Sequence, residues 1–262
     1  MENNDGLRLF NDINQYQNCI YVKLSNLKKV VPQHTHVQGH ILVVLEGAAT
    51  INVERSVYYI PNGYFVWIPS KVLHRVSFEG STVKVLNIYY PAQFSETPFY
   101  SAVGIYPIPS ILYHTLELVS GQTQAYTVKD WVYELLVTLH HIIPHIIPEQ
   151  KYPLRLPTSD HPVIQKIVDL IQTNYQEPIT AESVSQSVGI SVRTLSRYLH
   201  NELNMSLVQY VRTFRIIMAI KMMVTGEDSI TNIAYLTGFE SLTTFSNSFY
   251  QVTGKRPSQF LK

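Results

Sequence analysis

Cysteine is almost missing from this chain: Cys19 is the single one in 262 residues, so no internal disulfide and no thiolate metal cluster can form. A lone thiol of this kind reads as a small buried hydrophobe. Charge is sparse too. Asp, Glu, Lys and Arg make up 15% of residues with a net charge of +1, which denies the chain the broad basic surface of a chromatin-type structural protein. No apolar run approaches the ~20 residues of a membrane span. Met1 to Phe10 has neither the basic start nor the apolar core of a signal sequence, so a cytoplasmic protein without membrane contact is expected. Glycine-rich phosphate loops and a convincing nucleophile-base pair are also wanting, which argues against an enzyme.

What is present is apolar enough to fold, with 45% hydrophobic residues and length for two domains. Near the end, one local pattern occurs twice. The first copy, TAESVSQSVGISVRTLSRYLHNEL, starts at Thr180; the second, SITNIAYLTGFESLTTFSNSFYQ, starts at Ser229. Val184, Ser185 and Gly189 stand 49 positions before Ile233, Ala234 and Gly238, whereas Leu195, Arg197 and Leu199 stand 50 before Phe245, Asn247 and Phe249. The extra residue therefore falls in a turn. Each copy has a short apolar-faced helix, a glycine suited to a left-handed stop, an apolar plug (Ile190 or Phe239) and a serine (Ser191 or Ser241) placed to cap a second helix. The polar face of that second helix is what a major groove would meet.

These residues resemble the DNA-binding domain of the AraC/XylS family of bacterial transcription regulators, over roughly residues 163–261. The match is most specific at Ile233, Ala234, Gly238, Phe239, Glu240, Ser241, Phe245, Phe249, Gly254 and Pro257. The resemblance implies two helix-turn-helix units held by one linking helix, here from Ser206, with both recognition helices entering successive major grooves. Arg215 and Ala219 stand where that helix usually has Arg and Ala. Ser185 replaces a more usual Ala, and Asn247 replaces a more usual Arg, which changes the contact expected there.

From position 160 onward nine Lys and Arg face eight Asp and Glu, so placement rather than net charge must attract DNA. Arg193, Arg197, Arg212, Lys255 and Arg256 fall on or beside the inferred docking face; Glu227 and Asp228 fall between the units. The DNA-binding candidates are Arg193, Thr194, Ser196 and Arg197 in the first recognition helix, and Ser241, Leu242, Thr243, Thr244, Ser246 and Asn247 in the second. Lys255 and Arg256, just before Pro257 opens a last helix, are expected to clamp the phosphate backbone.

From about 20 to 90 the pattern is of short strands rich in Val, Ile, Tyr and Phe (CIYVKL, HILVVLEG, ATINVERSVYYI, GYFVWIP, HRVSF, VKVLNIYY), separated by Asn-Gly, Glu-Gly and Pro-Ser turn signals. A small barrel or jelly roll is expected. His34, His36, His40, Gly47, Gly63, Pro69 and His74 resemble a cupin, the sensory barrel often found before an AraC-type DNA-binding domain. Enzymatic cupins hold a metal with HxH, an acidic residue and a distant His; the corresponding positions are His34, His36, His40 and His74, with His40 in the acidic place. Regulator cupins keep remnants of that motif, so His34, His36, His40 and His74 are expected to line an effector pocket with Tyr64 and Trp67. Metal binding by the four histidines is the alternative, and no cofactor is expected.

Helical periodicity returns at SILYHTLELVSG and KDWVYELLVTLHHII, with apolar stripes at Ile111, Leu112, Leu116 and Val119, and at Trp131, Val132, Leu135, Leu136, Leu139 and Ile143. The second stripe is wide enough to cover the barrel and to meet a second subunit. Pro144, Pro148, Pro153, Pro157 and Pro162 then mark a stretch in which no helix should continue. The fold expected is a two-domain α+β protein: a cupin-like effector-binding and dimerisation domain at 1–147 (barrel about 18–92, helices about 109–145), a linker at 148–160, and an all-α domain of two helix-turn-helix units at 161–262. The function expected is a sequence-specific DNA-binding transcription regulator, an activator answering a small-molecule effector, with double-stranded DNA, RNA polymerase and a second copy of itself as partners. A metal-dependent cupin enzyme, or a cupin activity linked to DNA binding, is the alternative.

Overall fold

The structure is a computed structural model and describes residues 13–27, 30–119, 121, 123–147, 154–225 and 228–260. The expectations for Met1 to Phe10, the linker prolines Pro148 and Pro153 and the connecting Glu227 lie outside the described residues. Two compact units are formed: Met1–Glu54 with Ile60–Lys151, and Arg55–Tyr59 with Tyr152–Lys262.

The first unit is built on an antiparallel sheet in the order β7-β5-β3-β6-β1-β8, with β2 beside β6. Its strands are β1 (Ile20–Leu27), β2 (Val31–His34), β3 (Gly39–Val53), β5 (Tyr64–Ile68), β6 (His74–Tyr90), β7 (Gly104–Pro107) and β8 (Gln124–Tyr126); β4 is Ser56–Pro61. Two expected turns turn out to be strand interiors. Glu46-Gly47 lies within β3, where the register against β6 shifts on either side of Glu46 and Gly47 takes φ +79°, and Glu79-Gly80 lies within β6. A glycine in the left-handed region permits a bulge that bends a strand without ending it. Asn62-Gly63 is a true turn, with Gly63 also at φ +79°.

Alternation sorts the side chains. Ile20, Val22, Ile41, Val43, Phe65, Trp67, Leu86, Ile88 and Tyr90 join a core closed by α1 (Ser110–Val119) and α2 (Trp131–Ile146). Most of the expected stripe is spent within this chain: Leu112, Leu116, Val119, Val132, Leu136, Leu139 and Ile143 are buried, and Leu135 is half-buried. Trp131 stays 68% exposed. Cys19 is buried as expected, its thiol beside the Tyr16 carbonyl and pushed up in pKa by burial.

Pro144 corrects the expectation that proline ends this helix, because α2 runs through it to Ile146. Proline has no N–H to give the carbonyl four residues back, which is that of His140. Tyr100 supplies the missing donor: its hydroxyl donates to the His140 carbonyl at 2.6 Å, and its ring stacks on the His140 ring at 3.8 Å.

The second unit begins where a linker was expected. β9 (Arg155–Pro157) pairs with β4, Ser56 opposite Pro157 and Tyr58 opposite Arg155. Helix α3 (Pro162–Asn174) opens on Pro162, and the His161 ring nitrogen accepts from the Val163 amide. Next come α4 (Ala181–Val188) and α5 (Val192–Tyr198), the latter continued by a π turn over Leu199–Leu203 that stops at Asn204 with φ +51°. Helix α6 (Leu207–Thr225) is the expected linking rod. Tyr210, Thr213, Ile216, Ala219, Ile220 and Met223 bury several of its faces, the pattern of a helix central to its domain. Ser206 and Gln209 cap it reciprocally at 3.2 and 2.8 Å. Helices α7 (Ile230–Leu236), α8 (Leu242–Thr253) and α9 (Pro257–Phe260) complete the unit.

Candidate nucleic-acid interface and histidine cluster

The duplication seen in the sequence extends to individual hydrogen bonds. The Ile190 amide donates to the Ser185 carbonyl and the Phe239 amide to the Ala234 carbonyl, each at 3.0 Å; Gly189 and Gly238 donate to Gln186 and Tyr235. Both glycines are left-handed, at φ +73° and +82°. Ser191 then accepts from the Thr194 amide at 3.2 Å, and Ser241 from the Thr244 amide at 3.1 Å. Such caps satisfy orphan amides and fix where each second helix begins. Glu240 is the extra residue of the second turn, and it is exposed.

Past each cap the apolar face turns inward, with Leu195 and Leu199 buried in one copy and Phe245 and Phe249 in the other. The opposite faces are open. Arg193, Ser196 and Arg197 are exposed on α5, with Thr194 half-buried; Leu242, Thr243, Thr244 and Asn247 are exposed on α8, with Ser241 and Ser246 half-buried. Arg193 and Arg197 lie one turn apart on one face, as do Thr243 and Asn247. Such faces offer donors and acceptors to base edges and phosphates.

Basic residues flank the second helix unequally. Arg256 is exposed; one guanidinium nitrogen donates to the Asn247 side-chain carbonyl at 3.0 Å, and the group lies 5.0 Å from the Tyr250 ring centre. Lys255 is half-buried, and burial lowers its pKa. Arg212 is half-buried and donates to Gln251 at 2.7 Å. Sequence reasoning missed the task of Arg215, which donates to the carbonyls of Tyr175, Gly238 and Glu177 at 2.7, 2.7 and 2.8 Å. It braces the second turn rather than facing outward.

In the first unit, four histidines assemble from the end of β2, the following loop, and the starts of β3 and β6. Ring centres are 4.1 Å apart for His34 and His74, 5.1 Å for His36 and His74, and 5.4 Å for His36 and His40. Nδ1 of His34, His36 and His74 pairs with the carbonyl of Pro32, Gln38 and Val72, at 2.7, 2.8 and 2.9 Å. An Nδ1–H donated to a carbonyl leaves the Nε2 lone pair as the outward atom. One coordinating nitrogen from each of these three lies within 4.8 Å of the others. His40 is built differently, with Nε2 donating to the Asn87 side-chain carbonyl at 2.9 Å and its ring stacked on Tyr89. Burial, reinforced by neighbouring imidazoles, holds His34 near a pKa of about 4 and His36 near about 3. Burial also lowers His40 and His74, so all four rings are neutral near pH 7.

Two other pocket candidates sit elsewhere. Trp67 is fully buried in the helix-covered core, its indole N–H donating to the Tyr100 carbonyl at 2.7 Å, on the opposite face of β5 from the residues paired to His40. Tyr64 shares the His40 face of the sheet, but four residues along β5 from Ile68, the partner of His40, or about 13 Å away. The polar Asn87 within the inward run of β6 was the sequence signal that the pocket reading passed over.

Residues 184–262 match the family described as helix-turn-helix domain, and residues 24–89 the family described as cupin domain. The chain is 26% identical over 246 residues to the HTH-type transcriptional regulator NimR of Escherichia coli K12, covering 93% of this chain and 86% of that protein. It is 23% identical over 257 residues to the uncharacterized HTH-type transcriptional regulator YdeC of Bacillus subtilis 168, covering 90% and 88%. Among solved structures it is similar to ToxT from Vibrio cholerae O395, with a TM-score of 0.39 and 15% identity over 92% of this chain and 96% of that one. No helix among the described residues is long and apolar enough to cross a membrane. A cupin fold followed by two capped helix-turn-helix units, with regulators as relatives along nearly the whole length, places this chain in the AraC-type helix-turn-helix transcription regulators with an N-terminal cupin domain; it is a DNA-binding regulator and not an enzyme.

Proposed function

We propose that this regulator is a cytoplasmic activator that binds promoter DNA through both recognition helices and answers an effector held by its cupin unit. One observation carries the DNA half: two helices begin at identical serine caps and present polar, exposed faces one repeat apart. Arg193, Thr194, Ser196 and Arg197 meet one major groove, and Ser241, Leu242, Thr243, Thr244, Ser246 and Asn247 meet the next. Lys255 and Arg256 hold phosphates. The effector site is centred on His34, His36, His40 and His74, while Tyr64 and Trp67 act by shaping the surrounding core.

A chain with so little net charge gains little from counterion release, so a homodimer is expected to raise affinity for two sites in tandem. Trp131, 68% exposed at the start of α2, is the anchor proposed for that contact. Selection of genomic fragments by the purified chain, followed by transcription in vitro with RNA polymerase, tests the reading. Enriched fragments from upstream of genes, whose transcripts rise with added protein, are expected. Enrichment without sequence preference would overturn it.

A further inference from the structure

We propose that Val192 and Leu242 read the 5-methyl groups of thymines, so that the DNA site of this chain carries a thymine in each of two major grooves about one helical turn apart. The inference deepens the DNA-binding reading above and rests on it. Both side chains lead a second helix. Each directly follows a capping serine, Ser191 or Ser241, and they stand 50 positions apart, the spacing of the later half of the repeat. Matching caps give the two residues the same place relative to the polar face behind them. In helix-turn-helix proteins the leading residues of that helix are the ones that reach base edges.

Their chemistry is out of keeping with their surroundings. Leu195 and Val252 are buried, whereas Val192 is 37% and Leu242 42% exposed, beside the exposed Arg193 and Thr243. A single exposed aliphatic residue is ordinary on any protein. Two at matched positions of a duplicated DNA-binding unit are continuous with the surface that meets the duplex. Neither side chain can donate to a phosphate, which leaves the base edge as its target. Donors and acceptors fill the major groove, and thymine is the base that places an apolar group there, its 5-methyl. An aliphatic side chain held against another base would bury an amino group or an acceptor without a partner. The same contact therefore selects for thymine and against the rest. No acidic residue stands in the first turn of either helix to hold the phosphates off.

The test is thymine-to-uracil interference, because uracil lacks only the methyl group. Genomic fragments selected by the full chain are copied with a small share of uracil in place of thymine, and the bound and free pools are compared position by position. With the parent chain, uracil is expected to lower affinity about fourfold at a thymine in each of two clusters about one helical turn apart, which is what burial of one methyl group is worth. Val192→Ala should abolish the difference in one cluster and Leu242→Ala in the other, each with native circular dichroism and each leaving the second cluster as it was. Uracil tolerated everywhere, or a thymine preference that survives both substitutions, overturns the inference. So does a variant that lowers transcription in vitro at unchanged DNA affinity, which would assign these side chains to RNA polymerase. Fragments enriched without sequence preference strike the regulator reading and this inference with it. Sequence-specific binding indifferent to the methyl groups strikes this inference alone.

Discussion

Arg256 donates through one guanidinium nitrogen to the side-chain oxygen of Asn247 at 3.0 Å, and reaches the Ser246 carbonyl and hydroxyl at 3.3 Å. The oxygen of Asn247 is thereby engaged, and its amide N–H groups remain to be offered outward. Paired reading of adenine needs both the oxygen and the N–H2 of an Asn. We therefore predict that Asn247 serves as a donor to phosphate while Arg256 is in place. Asn247→Ala should weaken binding by about 1 kcal/mol at all sites alike, and Arg256→Ala should lower the salt dependence by about one phosphate contact. Operator affinity across a salt series, with single-base variants, checks both. A loss confined to one A·T pair in Asn247→Ala would show direct adenine reading instead.

The two turn glycines should differ in their tolerance of a side chain. A Cβ on Gly238 would lie 2.7 and 2.8 Å from the Tyr175 and Gln176 carbonyl oxygens, while one on Gly189 meets nothing within 4 Å. Both positions carry the left-handed penalty of about 1–2 kcal/mol for a non-glycine residue. Gly189→Ala is expected to cost that much and Gly238→Ala clearly more. Urea denaturation of the two variants compares them, and equal costs would contradict the crowding at Gly238.

Tyr100 and Pro144 should be coupled. Tyr100→Phe leaves the His140 carbonyl without its donor and is expected to cost about 1–3 kcal/mol. Pro144→Ala restores an N–H in helical register with that carbonyl, so the double variant should regain part of the loss. A thermodynamic cycle over the four proteins measures this, and strict additivity would show that the hydroxyl does not stand in for the missing amide.

Arg215 should be intolerant even of Lys. Its planar group serves three carbonyls at once, a geometry that one ammonium cannot reproduce. Arg215→Lys is expected to destabilise the chain by about 2–3 kcal/mol. A melting curve within about 1 °C of the parent would contradict the bracing role.

The helix-turn-helix pair was legible because its parts are local. Caps, left-handed stops and apolar spacing are each set within a dozen residues, and the repeat at 49 to 50 checks one copy against the other. The length of β3 and β6 was not legible, because a glycine at a bulge and a glycine at a turn look alike until the partner strand is known. Pro144 misled for the same reason: what rescues its helix is a tyrosine 44 positions away. The four histidines were found by spacing, but the ring orientation of His34, His36 and His74 depends on carbonyls of Pro32, Gln38 and Val72 that no side-chain pattern records. Trp67 was grouped with the histidines by its chemistry, and the pleat of β5 sends it to the opposite face from theirs.

The central claim, that both capped helices read DNA together, is tested most directly by hydroxyl-radical footprinting of a selected promoter fragment, with the parent chain, Arg197→Ala and Thr243→Ala. Two protected segments about one helical turn apart on one face of the duplex are predicted, the first weakened by Arg197→Ala and the second by Thr243→Ala. A single protected segment, or a pair that neither substitution alters, would contradict the account.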